Sequence, residues 1–249
     1  MTNHFILITA RTNSSRLPNK ILLPFAGRNK LRSIDILIKR AQKVKLPIVL
    51  ATTKLKSDNK LVSYVKKNYK IDIFRGENKN KLKRWHDCFK KFKINQAIII
   101  DGDDVFFDYD ICKKLIKKKD KHEIVSAPKK MITGLFTHMF SMSALNKMRP
   151  YYLKNQDTEM IEPYIKKAKI LVKKLSVAKV YVNKKIRITL DYKEDYKMMN
   201  YIYKKFSATT NSIKIIKFLS KKKEISEINY FRENSWRLNQ IRKIKKLKI

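Results

Sequence analysis

Apolar residues along the chain form two alternating patterns, short continuous runs and longer stretches with helical spacing. Short apolar runs predict strands, and apolar residues that recur every three or four positions predict helices. The predicted strands cover 5–9, 47–52, 71–74, 96–100 and 123–127, and the predicted helices cover 33–45, 58–67, 82–92 and 110–118. Apolar strands that alternate with helices are typical of a parallel sheet covered on both faces. We therefore expect an α/β fold, a three-layer, doubly wound sandwich with a mostly parallel sheet.

The alternation is less regular in the second half of the chain. Strands are predicted at 135–142, 177–182 and 187–190, and helices at 157–167, 194–206 and 213–220. The segment that starts at Arg237 has apolar residues every three or four positions and many lysines, which predicts a basic terminal helix. No linker rich in Gly, Ser or Pro divides the chain. We expect one domain over 1–230 and a basic tail over 231–249.

Polar residues cluster directly after several predicted strands. The carboxyl ends of the strands in an open parallel sheet lie at one edge, where ligands bind. Four separate segments are thus expected to converge on one crevice. They are the loop 10–20, the pair Thr52 and Thr53, the pair Arg75 and Gly76, and the acidic turn 101–104.

These clusters suit a polyphosphate and a metal ion. Arg11, Arg16 and Lys20 place three cations in one loop, and guanidinium groups match phosphate oxygens bidentately. The loop is neither a P-loop nor a dinucleotide-binding Gly motif. Asp101, Asp103 and Asp104 are too close together for three free anions, and a divalent cation such as Mg²⁺ would relieve their repulsion. A second acidic group, Asp191 with Glu194 and Asp195, could complete the site.

Each cluster also has a plain structural explanation. A single Arg-rich loop is usually a solvated loop, and an acidic turn often only caps the next helix. Their convergence at the strand ends favours function. The four histidines lack the spacing of a zinc site. Cys88 and Cys112 lie on predicted helices, as do Trp85 and Phe89, and all four are expected to be core residues.

The chain is strongly basic, with 60 Lys and Arg against 21 Asp and Glu and a formal net charge of +39. Such a charge can indicate nucleic-acid binding. However, the lysines are spread along the whole chain, and diffuse charge gives no base readout, so a basic nucleic-acid-binding module is the weaker hypothesis. A highly negative small substrate fits the charge equally well. The two cysteines and the lack of a long apolar run favour a cytoplasmic protein without a membrane span.

The segment ILITARTNSSRLPNKILLPFAGR carries a specific motif, a strand followed by Ala-Arg-x-x-Ser-x-Arg-Leu-Pro-x-Lys. It resembles the N-terminal signature of the cytidylyltransferases that make CMP-activated acidic sugars. That family includes CMP-Kdo and CMP-sialic acid synthetases and the spore-coat polysaccharide protein F branch. The segments IVLATT, FRGENKNKLKRWHDC, IIIDGDD, DTEMIEPYI and ITLDYKEDYKMMNYIY also resemble segments of the family. The resemblance covers about residues 4–206.

The resemblance implies a Rossmann-like nucleotidyltransferase fold of the GT-A type. It also implies a reaction in which a sugar hydroxyl attacks the α-phosphorus of CTP and releases pyrophosphate. The expected partners are CTP and an acidic 2-keto sugar, Kdo-like or a nonulosonic acid, for surface polysaccharides such as lipopolysaccharide. The expected cofactor is Mg²⁺. Members of the family are commonly homodimers.

The resemblance also assigns roles to single residues. Arg16, Lys20 and Asp103 would be catalytic, and Asp103 and Asp191 would bind the metal. Glu159 and Glu162 would face the sugar. The nucleotide would be held by residues of the loop and of three strand ends, namely Ala10, Arg11, Ser15, Arg16, Lys20, Thr52, Thr53, Arg75 and Asp101.

The sequence departs from the family pattern at two places. Asp104 and Val105 stand where Kdo synthetases typically have Glu-Pro, and Asn19 stands where Gly is usual. Both changes leave the metal ligand in place and leave the identity of the sugar open. The same fold also supports glycosyl transfer from a preformed nucleotide sugar, which is the alternative activity.

Overall fold

The computed structural model describes residues 3–27, 30–117, 122–154 and 157–247. Its seven strands form one sheet in the order β3-β2-β1-β4-β6-β5-β7. In chain order they are His4–Thr9, Ile48–Thr53, Asp72–Gly76, Gln96–Asp101, Ile124–Ser126, His138–Ser141 and Val172–Lys174. β1 to β4 are mutually parallel, and β6 is antiparallel to both of its neighbours. The expected α/β sandwich with a mostly parallel sheet is confirmed.

Ten α-helices are found among the described residues. In chain order, α1 to α10 are Ser33–Gln42, Asn59–Asn68, Lys81–Lys91, Tyr109–Lys117, Met142–Tyr152, Glu162–Lys167, Lys193–Lys205, Ser212–Lys221, Lys223–Tyr230 and Arg232–Lys245. The last predicted position of the fourth helix, residue 118, and the last two residues of the tail lie outside the described ranges. No helix in the described ranges is both long and apolar enough to cross a bilayer.

The two faces of the sheet bury two separate apolar clusters. Ile6 and Ile8 of β1 point into the cluster under α1 and α4, and Leu7 points into the cluster under α3 and α5. Successive strand residues point to opposite faces, so a strand covered on both sides has to be apolar throughout. Trp85 and Phe89 are fully buried, as the helical spacing predicts.

Both cysteines are free thiols in the core. Burial raises the pKa of Cys88 to about 12 and also raises the pKa of Cys112. The thiolate is the reactive form, so neither residue is a nucleophile at neutral pH. The prediction that they are packing residues is confirmed.

Three predictions for the second half of the chain are wrong. The segment 177–182 forms a 3₁₀ turn at Lys179–Tyr181, which buries Tyr181 instead of pairing with a strand. The segment 187–190 is not a strand, because its backbone bonds to loops and makes only one isolated bridge, Thr133 to Arg187. The helix predicted from residue 157 begins at Glu162, where Pro163 fits the first turn because that turn needs no donor from it.

Arg40 of α1 fastens the helical layer to the 208–212 segment. Its buried guanidinium donates to the carbonyls of Phe107, Ala208 and Thr210 and to the hydroxyl of Ser212, at 2.8–2.9 Å. Burial lowers the pKa of Arg40 to about 10, so the side chain stays charged at neutral pH. Three of these four bonds join segments about 170 residues apart in the chain.

Replacing Arg40 by methionine is expected to lower the free energy of unfolding by about 3–5 kcal/mol, because it leaves buried carbonyl groups without donors. Urea denaturation followed by circular dichroism measures the loss. The neighbouring Lys39→Met, which removes an equal charge from the same helix, should change stability by less than about 0.5 kcal/mol. Equal urea midpoints for Arg40→Met and Lys39→Met would show that the hydrogen bonds of Arg40 do not stabilise the fold.

Candidate active site

The loop after β1 is hydrogen-bonded near its start to Asp58, which lies in the turn that follows β2. The backbone N–H and the hydroxyl of Thr12 both donate to Asp58 Oδ1 at 2.7 Å. The other oxygen of Asp58 accepts from the hydroxyl and the backbone N–H of Thr53. Burial alone would raise the pKa of Asp58, but the bonds from Thr53 and Thr12 hold it below its ordinary value. A charged, buried carboxylate therefore fixes the base of the cationic loop.

The acidic turn after β4 crosses directly over the start of this loop. Gly102 donates its N–H to the carbonyl of Thr9 at 2.9 Å, and a Cβ at position 102 would lie 2.9 Å from the Cβ of Ala10. Only glycine permits such a close approach without a shift of one backbone. One oxygen from each of Asp101, Asp103 and Asp104 lies within 4.8 Å of the others. These hard oxygen donors match the preference of Mg²⁺ and Mn²⁺.

Asp191 reaches the site through an extended segment that runs between two loops. Ile188 donates to the carbonyl of Thr133 at 2.9 Å, and Leu190 donates to the carbonyl of Asp103 at 2.8 Å. The second bond places Asp191 beside Asp103. The predicted strand at 187–190 is absent, yet its sequence delivers the acidic group to the expected place.

Four predicted residues meet at one point of the structure. Lys20 Nζ donates to Asp103 Oδ2 at 3.1 Å and to Asp191 Oδ1 at 2.9 Å. Arg16 Nη2 donates to the same oxygen of Asp191 at 2.5 Å. The cationic loop and the acidic turn therefore share one cleft, as the strand-end argument predicts.

The carboxylates of this cleft differ in the direction in which their pKa values are shifted. Burial alone would raise the pKa of Asp191, but Lys20 and Arg16 hold it well below its ordinary range. Burial raises the pKa of Asp104 well above its ordinary value, and the neighbouring carboxylates of Asp103 and Asp101 raise it further. Asp104 accepts a hydrogen bond from the hydroxyl of Thr137 at 2.8 Å. Asp191 is therefore a fixed anion, whereas Asp104 has a raised affinity for a proton.

A cavity of about 730 Å³ opens above the cleft. Most of the predicted site residues line it: Ala10, Arg11, Ser15, Arg16, Lys20, Asp101, Asp103, Glu159 and Glu162. Asp191 is only 1 % exposed and lies beneath Arg16 and Lys20.

The structure does not bring Thr52, Thr53 and Arg75 to this cavity. Both threonines are fully buried, and the Thr53 hydroxyl is bonded to Asp58. The guanidinium of Arg75 donates to the carbonyls of Thr53 and Leu55 at 2.9 and 2.8 Å. None of these three residues lines the cavity, and the hydroxyl of Thr52 has no hydrogen-bond partner among the described residues.

The sequence analysis missed several residues that line the cavity. Lys81, in the first turn of α3, donates to Asp101 at 2.7 Å. The terminal helix α10 contributes Trp236, Arg237 and Lys243, and Lys243 Nζ donates to Glu159 at 2.8 Å. The position of Lys81 just after the third strand end could have indicated its role. Nothing in the helical pattern of the tail indicates that α10 covers the cavity.

The profile of the cytidylyltransferase family matches residues 5–246. The match extends beyond the predicted limit near residue 206 and includes all of α10. Two relatives are similar over most of their length. The uncharacterized protein MJ1063 of Methanocaldococcus jannaschii is 31% identical over 239 residues, 93% of this chain and 96% of the relative. The spore coat polysaccharide biosynthesis protein SpsF of Bacillus subtilis is 28% identical over 220 residues, 82% of this chain and 88% of the relative.

Solved structures share the fold. A cytidylyltransferase from Leptospira borgpetersenii superposes with a TM-score of 0.78 at 24% identity, covering 91% of this chain and 98% of that one. A CMP:2-keto-3-deoxy-manno-octonic acid synthetase in complex with CTP superposes with a TM-score of 0.59 at 14% identity, covering 81% and 98%. The resemblance seen in the sequence is thus confirmed: the chain belongs to the cytidylyltransferase family and is a CTP-dependent nucleotidyltransferase.

Proposed function

We propose that this enzyme transfers CMP from CTP to a hydroxyl of an acidic 2-keto sugar, Kdo-like or a nonulosonic acid, in the synthesis of a surface polysaccharide. The observation that carries the proposal is the meeting of Arg16, Lys20, Asp103 and Asp191 beneath one cavity. Cations that converge on acidic groups suit a triphosphate with its metal ion. The names of SpsF and of the octonic acid synthetase support the sugar class.

The loop residues Arg11, Ser15, Arg16 and Lys20 would bind the triphosphate. In the proposed step, the sugar oxygen forms a bond to the α-phosphorus and the bond from that phosphorus to pyrophosphate breaks, while the hydroxyl proton leaves to solvent. Arg16 and Lys20 would stabilise the charge that develops on pyrophosphate. Such prearranged charge is the main contribution that proteins make to this chemistry.

The donor set fits a divalent cation. Asp103 lines the cavity and would hold the ion, and Asp191 lies next to it beneath Lys20. Asp101 and Asp104 offer further oxygens. When bound, Mg²⁺ would polarise the α-phosphate and lower the pKa of the attacking hydroxyl.

Cytidine would lie at the end of the cavity formed by Arg11, Asn78 and Lys79. Arg11 Nη1 donates to Asn78 Oδ1 at 3.3 Å, and all three residues line the cavity. Thr53 and Arg75 would act indirectly, because Thr53 donates to Asp58, which holds the base of the loop, and Arg75 donates to the carbonyl of Thr53.

CTP with Mg²⁺ is expected to raise the melting temperature of the enzyme more than ATP, GTP or UTP does. Pyrophosphate is expected to form only when Kdo or N-acetylneuraminic acid is added, and chelation of the metal should stop its release. Lys20→Met should greatly weaken the CTP-induced shift, because it removes the cation that contacts both Asp103 and Asp191. Lys60→Met, on the exposed surface of α2, is the matched control.

Two results would count against the proposal. The first is no stabilisation by CTP together with no pyrophosphate from either acid. The second is stronger stabilisation by a nucleoside diphosphate sugar than by CTP, which would favour glycosyl transfer.

A further inference from the structure

Three polar side chains form a row across neighbouring strands at one end of the cavity. Ser126 of β5 is paired with His138 of β6 on one side and with Lys174 of β7 on the other. Residues paired across adjacent strands point to the same face of a sheet. All three line the cavity, and Lys174 Nζ donates to Ser126 Oγ at 2.7 Å. The row is thus one continuous polar surface.

His138 has an unsatisfied polar atom. Its Nδ1 is buried and has no hydrogen-bond partner among the described residues. Its ring packs edge-on against Phe140, with ring centroids 5.5 Å apart. Burial lowers the pKa of His138 to about 4, so the imidazole is neutral at pH 7 and offers one donor and one acceptor. Buried polar atoms in native proteins are normally paired, so an unpaired atom on a residue that lines a cavity points to a polar ligand there.

Lys174 is among the cations of the cavity that are not neutralised by a carboxylate. Lys81, Arg237 and Lys243 each pair with a carboxylate, at 2.7–3.0 Å. In the described part of the chain Lys174 forms no such ion pair, and its ammonium group donates to the neutral hydroxyl of Ser126. Its charge is therefore available to an anionic ligand.

The row lies away from the phosphate-binding loop. β5, β6 and β7, which carry the row, are at the opposite end of the sheet order from β2 and β3, and β4 separates the row from β1. Glu159 and Glu162, the residues expected to face the sugar, line the same cavity. The row therefore belongs to the acceptor end of the cavity.

We propose that Lys174, Ser126 and His138 form the subsite that recognises the acceptor, with Lys174 and Ser126 binding its carboxylate and His138 binding one of its hydroxyls. This inference rests on the proposed function, because it concerns the acidic sugar. Lys174 would contribute a charge-assisted hydrogen bond, the strong kind. The subsite would thus select sugar acids over neutral sugars.

Lys174→Met tests the subsite. It is expected to raise the KM for Kdo or N-acetylneuraminic acid roughly tenfold to hundredfold, as the loss of one charge-assisted hydrogen bond should. The KM for CTP should change by less than about twofold, as for a surface substitution. The CTP-induced rise in melting temperature should change by less than about 1 °C. Lys174→Arg should restore most of the acceptor affinity. For the carboxamide of the same sugar, wild type and Lys174→Met should have equal KM values, because no carboxylate is left to bind.

Lys166→Met is the matched control, since it removes an ammonium group from exposed α6 outside the cavity lining. Equal KM values for the acid in Lys174→Met and Lys166→Met would overturn the proposed subsite. If both variants still released pyrophosphate with that acid, the proposed function would remain supported. Calorimetric titration of each acid into enzyme loaded with a non-hydrolysable CTP analogue gives an answer independent of turnover. If neither acid bound, the proposed subsite would also be overturned. The CTP-induced rise in melting temperature tests the nucleotide site separately.

Discussion

Replacing Asp103 by asparagine is expected to lower the turnover of pyrophosphate release by roughly 10²–10³, the usual cost of losing one charged contact to the reacting groups. Asp103 accepts from Lys20 at 3.1 Å and lines the cavity, whereas Asp191, the other carboxylate bonded to Lys20, is buried. Asparagine keeps the shape of the side chain and removes its charge. The fold should persist, because the backbone carbonyl of residue 103 still accepts from Leu190.

Steady-state kinetics with CTP, Mg²⁺ and an acidic sugar measure the effect, and circular dichroism checks the fold. Asp87→Asn is the matched control, because Asp87 is paired with Lys83 on the surface of α3, at 2.6 Å. That variant should retain nearly full turnover. Full activity in Asp103→Asn would exclude Asp103 as a metal ligand and as a catalytic residue.

Gly134→Ala is expected to cost about 3–5 kcal/mol of stability, at the upper end of the range for single substitutions. Gly134 has a φ of 98°, and a Cβ there would lie 1.9 Å from the carbonyl oxygen of Ile188. Both the left-handed backbone and the contact with a second backbone exclude a side chain. The segment that would have to move leads directly to Asp191.

Urea denaturation of the variant measures the loss of stability, and the CTP-induced shift tests whether Asp191 has moved. Gly27→Ala is a suitable comparison, because its Cβ would meet only the ring of Tyr203 and its φ is not positive. We expect a smaller loss there, since a side chain yields more easily than a backbone. If Gly134→Ala were as stable as the wild type, the close approach to Ile188 would be disproved.

The first half of the fold could be predicted from the sequence because its signals are local. The runs at 5–9, 47–52 and 96–100 are almost entirely apolar, and strands covered on both faces require that pattern. The second half was predicted less well, because its local signals do not decide which segments pair. Val177, Val180 and Val182 are β-branched residues that favour a strand, but this segment pairs with no strand among the described residues, and its backbone forms a 3₁₀ turn.

The candidate site was predictable to the extent that it follows from the topology. Arg16 and Asp103 are far apart in the chain, but each follows a strand of a parallel sheet, so both had to lie at the carboxyl edge. The register of β1 and β4 pairs Thr9 with Asp101 and so aligns the loop with the turn. The same argument predicted that Thr52 and Thr53, at the end of β2, would line the cavity. Both are buried instead, and the hydroxyl of Thr53 is bonded to Asp58.

The sequence by itself determined the class of fold, the family, and the cationic loop and acidic turn that converge at the strand ends, because these depend on local patterns and on one topological rule. Tertiary structure decided what depends on contacts between distant segments. Lys20 reaches Asp191 across 171 positions, α10 covers the cavity, and the row of Ser126, His138 and Lys174 exists only through strand register. No local pattern encodes these contacts, since each side chain finds its partner only after the sheet has formed.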